Sequence, residues 1–263
     1  MGDHEQALGF DTSVAHPARI YDYFLGGKDN FPADKAAAEQ VLAVVPETRV
    51  GARENRAFLQ RAVRFLAAEA GIRQFLDIGT GLPTQGNVHE VAQEVAPEAR
   101  VVYVDNDPIV HIHATALLGG PDTASLLADL RAPEEILDHP ETQRLIDFDR
   151  PLGLLLVAVL HFIRDQEDPA GIVARLVGAI APGSYVVVSH ATGDLVPPDI
   201  GSKATKAYDR ASAPLVLRTQ AEIERLFDGL ELIEPGVVQL CRWRPDGDLP
   251  TGNGLLGGVA RKT

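Results

Sequence analysis

The sequence is poor in several residue types, and each scarcity excludes a class of protein. One of the 263 residues is cysteine, Cys241. A disulfide within the chain, or a metal cluster held by several thiolates, is therefore excluded. Aromatic residues make up 6% of the chain and apolar residues 45%. We therefore expect a core of mainly aliphatic side chains that is large enough to fold without disulfides.

Positive charge and long apolar runs are also scarce. The formal net charge is −13, so we predict no nucleic-acid partner, because a phosphate backbone needs a basic surface. The longest apolar run, 152–160, is too short to cross a membrane. The first residues are polar and do not resemble a signal peptide. We expect a cytoplasmic protein with no membrane partner, and its oligomeric state stays open.

The periodicity divides the chain into three segments. Residues 1–16 are predicted to be a mobile arm, residues 17–71 a helical extension, and residues 72–263 the main domain. In the extension, the apolar spacing predicts helices over 17–25, 32–44 and 49–70, with Gly26 and Gly27 ending the first of them.

After Gly71, short apolar strands alternate with helical segments. Strands are predicted at 74–78, 100–104, 125–128, 152–160 and 185–189, and helices near 84–96, 108–118, 133–147 and 168–181. This alternation is typical of a parallel sheet with helices on both faces. A helix at 219–228, then apolar stretches at 230–240 and 255–260, predict a final hairpin with one antiparallel strand near the sheet edge.

The turn after the first predicted strand, in the sequence FLDIGTGLP, is the main candidate ligand site. Gly79 and Gly81, on either side of Thr80, allow a tight turn and close approach of the backbone to a ligand. The second predicted strand ends in Asp105, followed by Asn106. A carboxylate there can accept hydrogen bonds from both hydroxyls of a ribose. The arrangement therefore predicts a nucleoside-containing cofactor.

Two such cofactors have to be compared. A dinucleotide fingerprint would place a third glycine at position 84, where this chain has Thr84. Nothing in the loop prevents a pyrophosphate from lying at the helix N-terminus. However, the carboxylate of Asp77 repels a pyrophosphate and attracts a cation. S-adenosylmethionine carries an ammonium and a sulfonium centre without phosphate, and is therefore favoured over a nicotinamide dinucleotide.

Later strand ends supply further candidates. Asp129 and Leu130 follow the third predicted strand, where Asp129 can accept a hydrogen bond from an adenine amino group or simply cap the loop. His161, after the fourth predicted strand, is the candidate catalytic residue as a general base, with a structural role as the alternative. His190 is a weaker candidate for the same role. His111 and His113 face different ways on a helix, so no metal site is predicted.

The helical extension also carries candidate cofactor contacts. Tyr21, Gly26 and Asn30 lie in an aromatic and polar segment bounded by glycines, which we expect to fold over the cofactor as a lid. The alternative is a helix that only covers an apolar patch of the core. Arg56, near Arg53 on the third predicted helix, either lies on a solvated face or binds the carboxylate of the cofactor's methionine part.

Four segments carry a resemblance to a known family: ARIYDYFLGGKDNF (18–31), RENRAFL (53–59), QFLDIGTGLPT (74–84) and VYVDNDPIV (102–110). In these the chain resembles the class I S-adenosylmethionine-dependent methyltransferases, and more narrowly the S-adenosyl methyltransferase family once catalogued as a domain of unknown function. The resemblance extends from Pro17 to Lys262. It implies an α/β fold with a Rossmann-like, seven-stranded, mostly parallel sheet and the cofactor at its glycine turn, but no particular substrate.

The expected function is direct transfer of a methyl group from S-adenosylmethionine to a small molecule. The sequence has no Asn-Pro-Pro-Tyr-like motif after the fourth predicted strand, which disfavours an amide or exocyclic amine on nucleic acid or protein as acceptor. Three alternatives stay open. An aminopropyl transferase would need acidic residues that 157–160 do not supply. The others are an NAD-dependent oxidoreductase and a regulatory protein that binds the cofactor without turnover.

Overall fold

The structure is a computed structural model that describes residues 11–83, 86–117, 120–247 and 254–263. Helices and strands alternate along most of the chain after an all-helical first part. The strands are β1 (Gln74–Ile78), β2 (Arg100–Asp105), β3 (Thr123–Leu127), β4 (Gly153–Val157), β5 (Tyr185–Ala191), β6 (Glu231–Leu232), β7 (Val238–Gln239) and β8 (Leu255–Arg261). The helices are α1 (Pro17–Leu25), α2 (Pro32–Val44), α3 (Thr48–Ala68), α4 (Val88–Val95), α5 (Pro108–Leu117), α6 (Pro133–Leu137), α7 (Pro140–Leu145), α8 (Pro169–Ala179), α9 (Pro198–Lys206) and α10 (Gln220–Glu224).

All of these strands form one mixed sheet in the order β3-β2-β1-β4-β5-β8-β6, with β7 also paired to β8. Strands β1 to β5 pair in parallel, and β8 runs antiparallel to β5, β6 and β7. The mostly parallel sheet with one antiparallel strand is therefore confirmed. The strand order reverses between β1 and β4, which is where open α/β sheets bind ligands.

Helices cover both faces of the sheet, as predicted. Along β1, Phe75 belongs to one apolar cluster, and Leu76 and Ile78 belong to the other. Phe58 of α3 packs in the first cluster and Leu176 of α8 in the second. Helix α3 thus lies on the sheet itself, although it belongs to the predicted extension, while α1 and α2 form a cluster of their own with residues next to α9.

The fourth strand is shorter than predicted. It ends at Val157 because Ala158 has a left-handed backbone conformation, with φ of 57°, which ends the extended run. A 3₁₀ turn, Leu160–Phe162, follows. His161 therefore lies in this turn and not at the end of a strand.

Three other segments differ from the expectation. The predicted helix 133–147 is divided into α6 and α7, because Pro140 lacks an N–H group and starts a new helix. The predicted strand 230–240 forms only the short pieces β6 and β7, separated by Pro235 and by Gly236 with φ of 84°. As a result the sheet contains eight strands among the described residues, where seven were expected. Helix α9 was not predicted.

The first residues are only partly described. Residues 1–10 of the predicted arm, like Thr84 at the predicted start of the fourth helix, lie outside the described residues. Ala15 is buried and pairs with Ala211, and the N–H of His16 donates to Asp34 Oδ1 at 2.9 Å. Ala15 and His16, at the end of the predicted arm, therefore contact other parts of the protein. None of the described helices combines the length and hydropathy that a bilayer crossing requires.

Candidate functional site

A cleft opens at the carboxyl ends of β1, β2 and β4, where the strand order reverses. It is lined by residues of α1, α3 and the segments after β1 to β4, and a cleft at this edge of the sheet is typical of small-molecule and cofactor sites. The structure brings most of the predicted site residues to its walls: Tyr21, Arg56, Asp77, Gly79, Thr80, Gly81, Asp105, Asn106, Asp129 and Leu130.

The glycine turn after β1 forms the floor of the cleft. Gly79 and Gly81 have φ of 76° and 68°, a backbone region that favours glycine. The N–H of Gly79 donates to Val104 O at 2.8 Å, which fixes the turn against β2. A Cβ atom on Gly79 would lie 2.4 Å from Val159 Cγ2. The turn therefore packs so closely against the segment after β4 that a larger residue does not fit at Gly79.

Asp105 presents a buried carboxylate at the end of β2. Its Oδ2 accepts a hydrogen bond from the Gly81 N–H at 2.9 Å, and its Oδ1 accepts one from the Asp107 N–H at 2.9 Å. Burial raises the pKa of Asp105, against the charge of His16 and the two N–H groups. Each oxygen keeps a further lone pair, so the fixed carboxylate can still accept hydrogen bonds from a ligand.

Asp77 and Arg56 place opposite charges in the same cleft. Asp77 Oδ2 accepts a hydrogen bond from Thr80 Oγ1 at 2.8 Å, and burial raises the pKa of Asp77 to about 6. Arg56, on α3, donates to Gly86 O at 3.3 Å, while its buried Nε has no hydrogen-bond partner. Within the described ranges Arg56 makes no ion pair. The cleft thus offers a carboxylate to an ammonium group and a guanidinium to a carboxylate.

The residues after β3 are held by a local network. Asn106 Nδ2 donates to Asp129 Oδ2 at 3.0 Å, and the backbone N–H and guanidinium of Arg131 donate to Asp129 Oδ1. Burial acts to raise the pKa of Asp129, but these hydrogen bonds and the Arg131 charge outweigh it and lower the pKa. Arg131 also donates to Phe162 O at 3.2 Å. Asp129 therefore carries a stable negative charge at the rim beside the buried Leu130.

A chain of hydrogen bonds joins α1 to the turn after β4. Tyr21 Oη donates to Ala52 O at 2.8 Å and accepts from Asn55 Nδ2 at 2.9 Å. Ser189 Oγ donates to Asn55 Oδ1 at 2.5 Å and accepts from the Ala158 N–H at 2.9 Å. The sequence reasoning missed Ser189 and Ala158. The one signal for Ser189 was a serine inside the otherwise apolar strand YVVVSHA.

Helix α1 is also fixed to the loop after β2. Arg19 Nε lies 2.9 Å from Asp107 Oδ2, and His16 Nδ1 lies 3.3 Å from the same oxygen. Arg19 and Asp107 are both buried. The helix that carries Tyr21 is therefore attached directly to the segment that follows Asp105.

Gly26 and Asn30, two of the predicted cofactor contacts, do not line the cleft. Gly26 ends α1 in a left-handed conformation with φ of 84°. Asn30 Nδ2 donates to Asp22 Oδ2 at 2.6 Å and to Gly27 O at 3.1 Å. In this structure both residues shape the loop between α1 and α2.

A second cavity adjoins the cleft. Four residues line both spaces: Pro17, Tyr21, Ala158 and Phe162. The walls of the second cavity come from α1, α2, α9 and the segments after β4 and β5, and most of the side chains there are apolar. No local sequence pattern indicates this cavity, because its walls come from parts of the chain that are far apart.

His161, the predicted general base, lines the second cavity and not the cleft. Its Nδ1 accepts a hydrogen bond from the Ala191 N–H at 3.3 Å, so the proton of the neutral ring lies on Nε2. Burial and the nearby charges of His190 and Arg218 lower the pKa of His161 well below its usual value. The geometry therefore favours a neutral hydrogen-bond donor over a base.

His190, His111 and His113 also lie outside the cleft. His190 Nε2 lies 2.8 Å from Arg218 Nη1, and its Nδ1 lies 2.7 Å from Ala191 O, so both ring nitrogens are occupied. His111 and His113 belong to α5, outside the cleft. In the part of the chain that the structure describes, no group of histidine, cysteine or acidic residues is arranged to hold a metal ion.

Known proteins with the same architecture include close relatives. A DUF574 family protein from Streptomyces avermitilis MA-4680 is 48% identical, with a TM-score of 0.92 over 96% of this chain and 99% of that one. A proposed methyltransferase from Thermobifida fusca YX is 43% identical, with a TM-score of 0.91 over the full length of both chains (100% each).

More distant structures share the fold. The 1,6-didemethyltoxoflavin-N1-methyltransferase from Burkholderia thailandensis is 18% identical, with a TM-score of 0.51 over 84% of this chain and 88% of that one. No curated protein is similar enough to the chain to count as a relative. The family model described as S-adenosyl methyltransferase matches residues 3–263. The chain therefore belongs to the S-adenosyl methyltransferase family.

Proposed function

We propose that the protein binds S-adenosylmethionine in the cleft and transfers its methyl group to a small molecule in the adjoining cavity. The observation that carries this proposal is the arrangement of three charged groups in one cleft. Asp105 lies at the end of β2 and Asp77 at the end of β1, and Arg56 reaches the same space without an ion-pair partner among the described residues. A ribose, an ammonium and a carboxylate match these three groups.

The residues have separable roles in holding this cofactor. Asp105 would accept hydrogen bonds from the ribose hydroxyls, as its two oxygens each keep a free lone pair. Asp77 would bind the ammonium and Arg56 the carboxylate of the amino-acid part. Asn106, Asp129 and Leu130 lie where the adenine would be held. Gly79, Thr80 and Gly81 allow the ligand to approach the backbone closely.

The cofactor, when bound, supplies a methyl group on a positively charged sulfur that a nucleophile can attack. The protein's own part is to orient the two reactants and to keep water out. Tyr21, Ala158 and Phe162 lie where the cleft and the second cavity meet. The hydrogen-bond chain through Asn55 and Ser189 fixes Tyr21 and Ala158 relative to each other. A base is required only if the attacking atom must lose a proton.

The place and lining of the second cavity support a small acceptor. It lies beside the cleft, between helices α1, α2, α3 and α9, with mostly apolar side chains in its walls, as is typical of sites for small molecules. The two buried carboxylates in the cleft oppose the pyrophosphate of a dinucleotide. The proposal therefore ranks methyl transfer above an oxidoreductase reaction.

Calorimetry tests the cofactor assignment. S-adenosylhomocysteine should bind to the wild-type protein, and NAD should show no measurable binding. Asp105→Ala should weaken S-adenosylhomocysteine binding at least tenfold, since a hydrogen bond to a charged group contributes about 1.5–3 kcal/mol. Asp138→Ala, which removes an exposed carboxylate outside the cleft, is the matched control and should bind normally. Tight NAD binding, or unchanged affinity in a folded Asp105→Ala variant, would contradict the assignment.

A second measurement separates an enzyme from a regulatory protein. Cofactor labelled in the methyl group should transfer its label to members of a panel of small phenols, amines and thiols. Label that stays on the cofactor across the whole panel, with tight binding intact, would favour regulation without turnover.

A further inference from the structure

The second cavity has a chemical character that restricts its occupant. Its lining residues are mostly Val, Leu, Ala, Phe and Gly, and Glu47 is the one acidic or basic side chain other than histidine among the described lining residues. Glu47 is exposed. A charged ligand would therefore lose its hydration in this cavity without gaining a buried counter-ion, which is strongly unfavourable.

Two polar groups in the wall are free to meet a ligand. Tyr208 is 6% exposed, and its hydroxyl makes no hydrogen bond within the described ranges. Burial alone raises the pKa of Tyr208, so the hydroxyl keeps its proton. His161 accepts from Ala191 through Nδ1, which leaves its Nε2–H without a partner in the described part of the chain. Both groups can therefore donate a hydrogen bond.

These two groups lie on one wall of three neighbouring rings. The ring centroids of His161 and Phe162 are 4.4 Å apart, and those of Phe162 and Tyr208 are 5.6 Å apart. Phe162 also lines the cofactor cleft. The wall that carries the two donors therefore continues to the point where the cavities meet.

Arg218 holds this wall in place. It is buried, and its guanidinium donates to Leu160 O at 3.1 Å, to Ile163 O at 2.9 Å and to Asp165 Oδ1 at 2.7 Å. These bonds fix the backbone on both sides of His161 and Phe162. The donors consequently have a fixed position, as recognition of a specific polar atom requires.

We propose that the second cavity binds an uncharged, largely apolar methyl acceptor. This molecule carries one oxygen that accepts hydrogen bonds from Tyr208 and His161. This inference rests on the proposed function, because it treats the cavity as the place from which the acceptor meets the cofactor. The apolar part of the molecule lies among the side chains of α2 and α9. Charged acceptors are excluded by the absence of a buried counter-ion among the described lining residues.

Three probes with one ring system test this chemistry: 2-naphthol, naphthalene and 2-naphthoate. Each is titrated into the protein saturated with S-adenosylhomocysteine and followed by ligand-observed NMR. We expect 2-naphthol to bind most tightly, naphthalene about three- to tenfold more weakly for the loss of one hydrogen bond, and 2-naphthoate more than about 100-fold more weakly for the buried charge.

Two variants show where the probes bind. Tyr208→Phe should weaken 2-naphthol about three- to tenfold and leave naphthalene unchanged. Ala204→Phe, which fills the cavity from α9, should weaken the binding of both neutral probes at least about tenfold. Ala204 lines the second cavity but not the cleft, so S-adenosylhomocysteine affinity should stay within about twofold of wild type. Thermal unfolding identifies any variant that fails to fold.

The contradicting outcomes are distinct from a failure of the cofactor assignment. The wild-type protein alone can overturn the proposal. It would do so if 2-naphthoate bound as tightly as 2-naphthol, or if 2-naphthol did not bind. Unchanged 2-naphthol affinity in folded Ala204→Phe would do the same. If instead the proposed function is wrong, S-adenosylhomocysteine will fail to saturate the protein before any probe is added.

Discussion

Replacing Asp77 with asparagine should stabilise the ligand-free protein while weakening its hold on the cofactor. Asp77 is 4% exposed, and its carboxylate accepts a hydrogen bond from Thr80 Oγ1 at 2.8 Å. Burial raises its pKa from 3.8 to about 6, against the hydrogen bond and the charge of Arg56. The ionised form therefore costs free energy in the folded state. Asparagine has nearly the same shape, keeps an acceptor for Thr80 and carries no charge.

The sign and size of the effect follow from proton linkage. Because the pKa is higher in the folded than in the unfolded state, the folded protein binds the proton more tightly. Stability therefore falls as the pH rises from about 4 to about 6, and the full penalty is present above that range. The difference between 3.8 and about 6 corresponds to about 3 kcal/mol. We expect Asp77→Asn to raise the free energy of unfolding by about 1–3 kcal/mol at pH 8 and by almost nothing near pH 4.

Urea unfolding at pH 4, 6 and 8 measures this difference, and calorimetry at pH 8 measures cofactor affinity. Asp129→Asn is the matched control in the same cleft, because the pKa of Asp129 is lowered and its charge is favourable in the folded state. It should not stabilise the protein at pH 8. S-adenosylhomocysteine affinity of Asp77→Asn should fall about tenfold or more. A variant less stable than wild type at pH 8, or a gain in stability independent of pH, would show that the buried charge of Asp77 does not destabilise the folded protein.

Three further predictions concern the walls of the cleft and the second cavity. Arg56→Ala should weaken S-adenosylhomocysteine binding at least tenfold in calorimetry, whereas Arg53→Ala, exposed on the same helix, should not. His161→Ala should lower the melting temperature and reduce turnover by less than the roughly 100-fold loss expected of a general base. A larger loss of turnover with a normal melting temperature would indicate that His161 acts as a general base. Limited proteolysis beside the exposed Gly26 should be slowed by S-adenosylhomocysteine, and equal rates with and without it would show that α1 is a fixed wall and not a lid.

The parts of the site that could be predicted lie next to strand ends. Gly79, Gly81 and Asp105 follow buried apolar strands, and a parallel sheet brings the carboxyl ends of its strands to one edge. A local pattern therefore determined their positions, and the structure places them in one cleft. The sheet was predictable for the same reason, because periodicity and chain order constrain a parallel topology strongly.

The remaining parts depend on contacts between distant segments. The hydrogen-bond chain joins residue 21 to residues 55, 158 and 189, and no local pattern predicts such a pairing. The second cavity likewise requires α1, α2 and α9 to meet. Asn30 is a different case. Its polar side chain predicts a ligand contact, but in the structure it lies outside the cleft and its Nδ2 donates to Asp22.

A crystal structure of the protein with S-adenosylhomocysteine would test the proposed cofactor site directly. We expect the ribose hydroxyls within hydrogen-bonding distance of Asp105, the amino-acid part between Asp77 and Arg56, and the sulfur facing the junction at Ala158. A ligand bound in the second cavity, or in the cleft with its ribose away from Asp105, would contradict the proposed site.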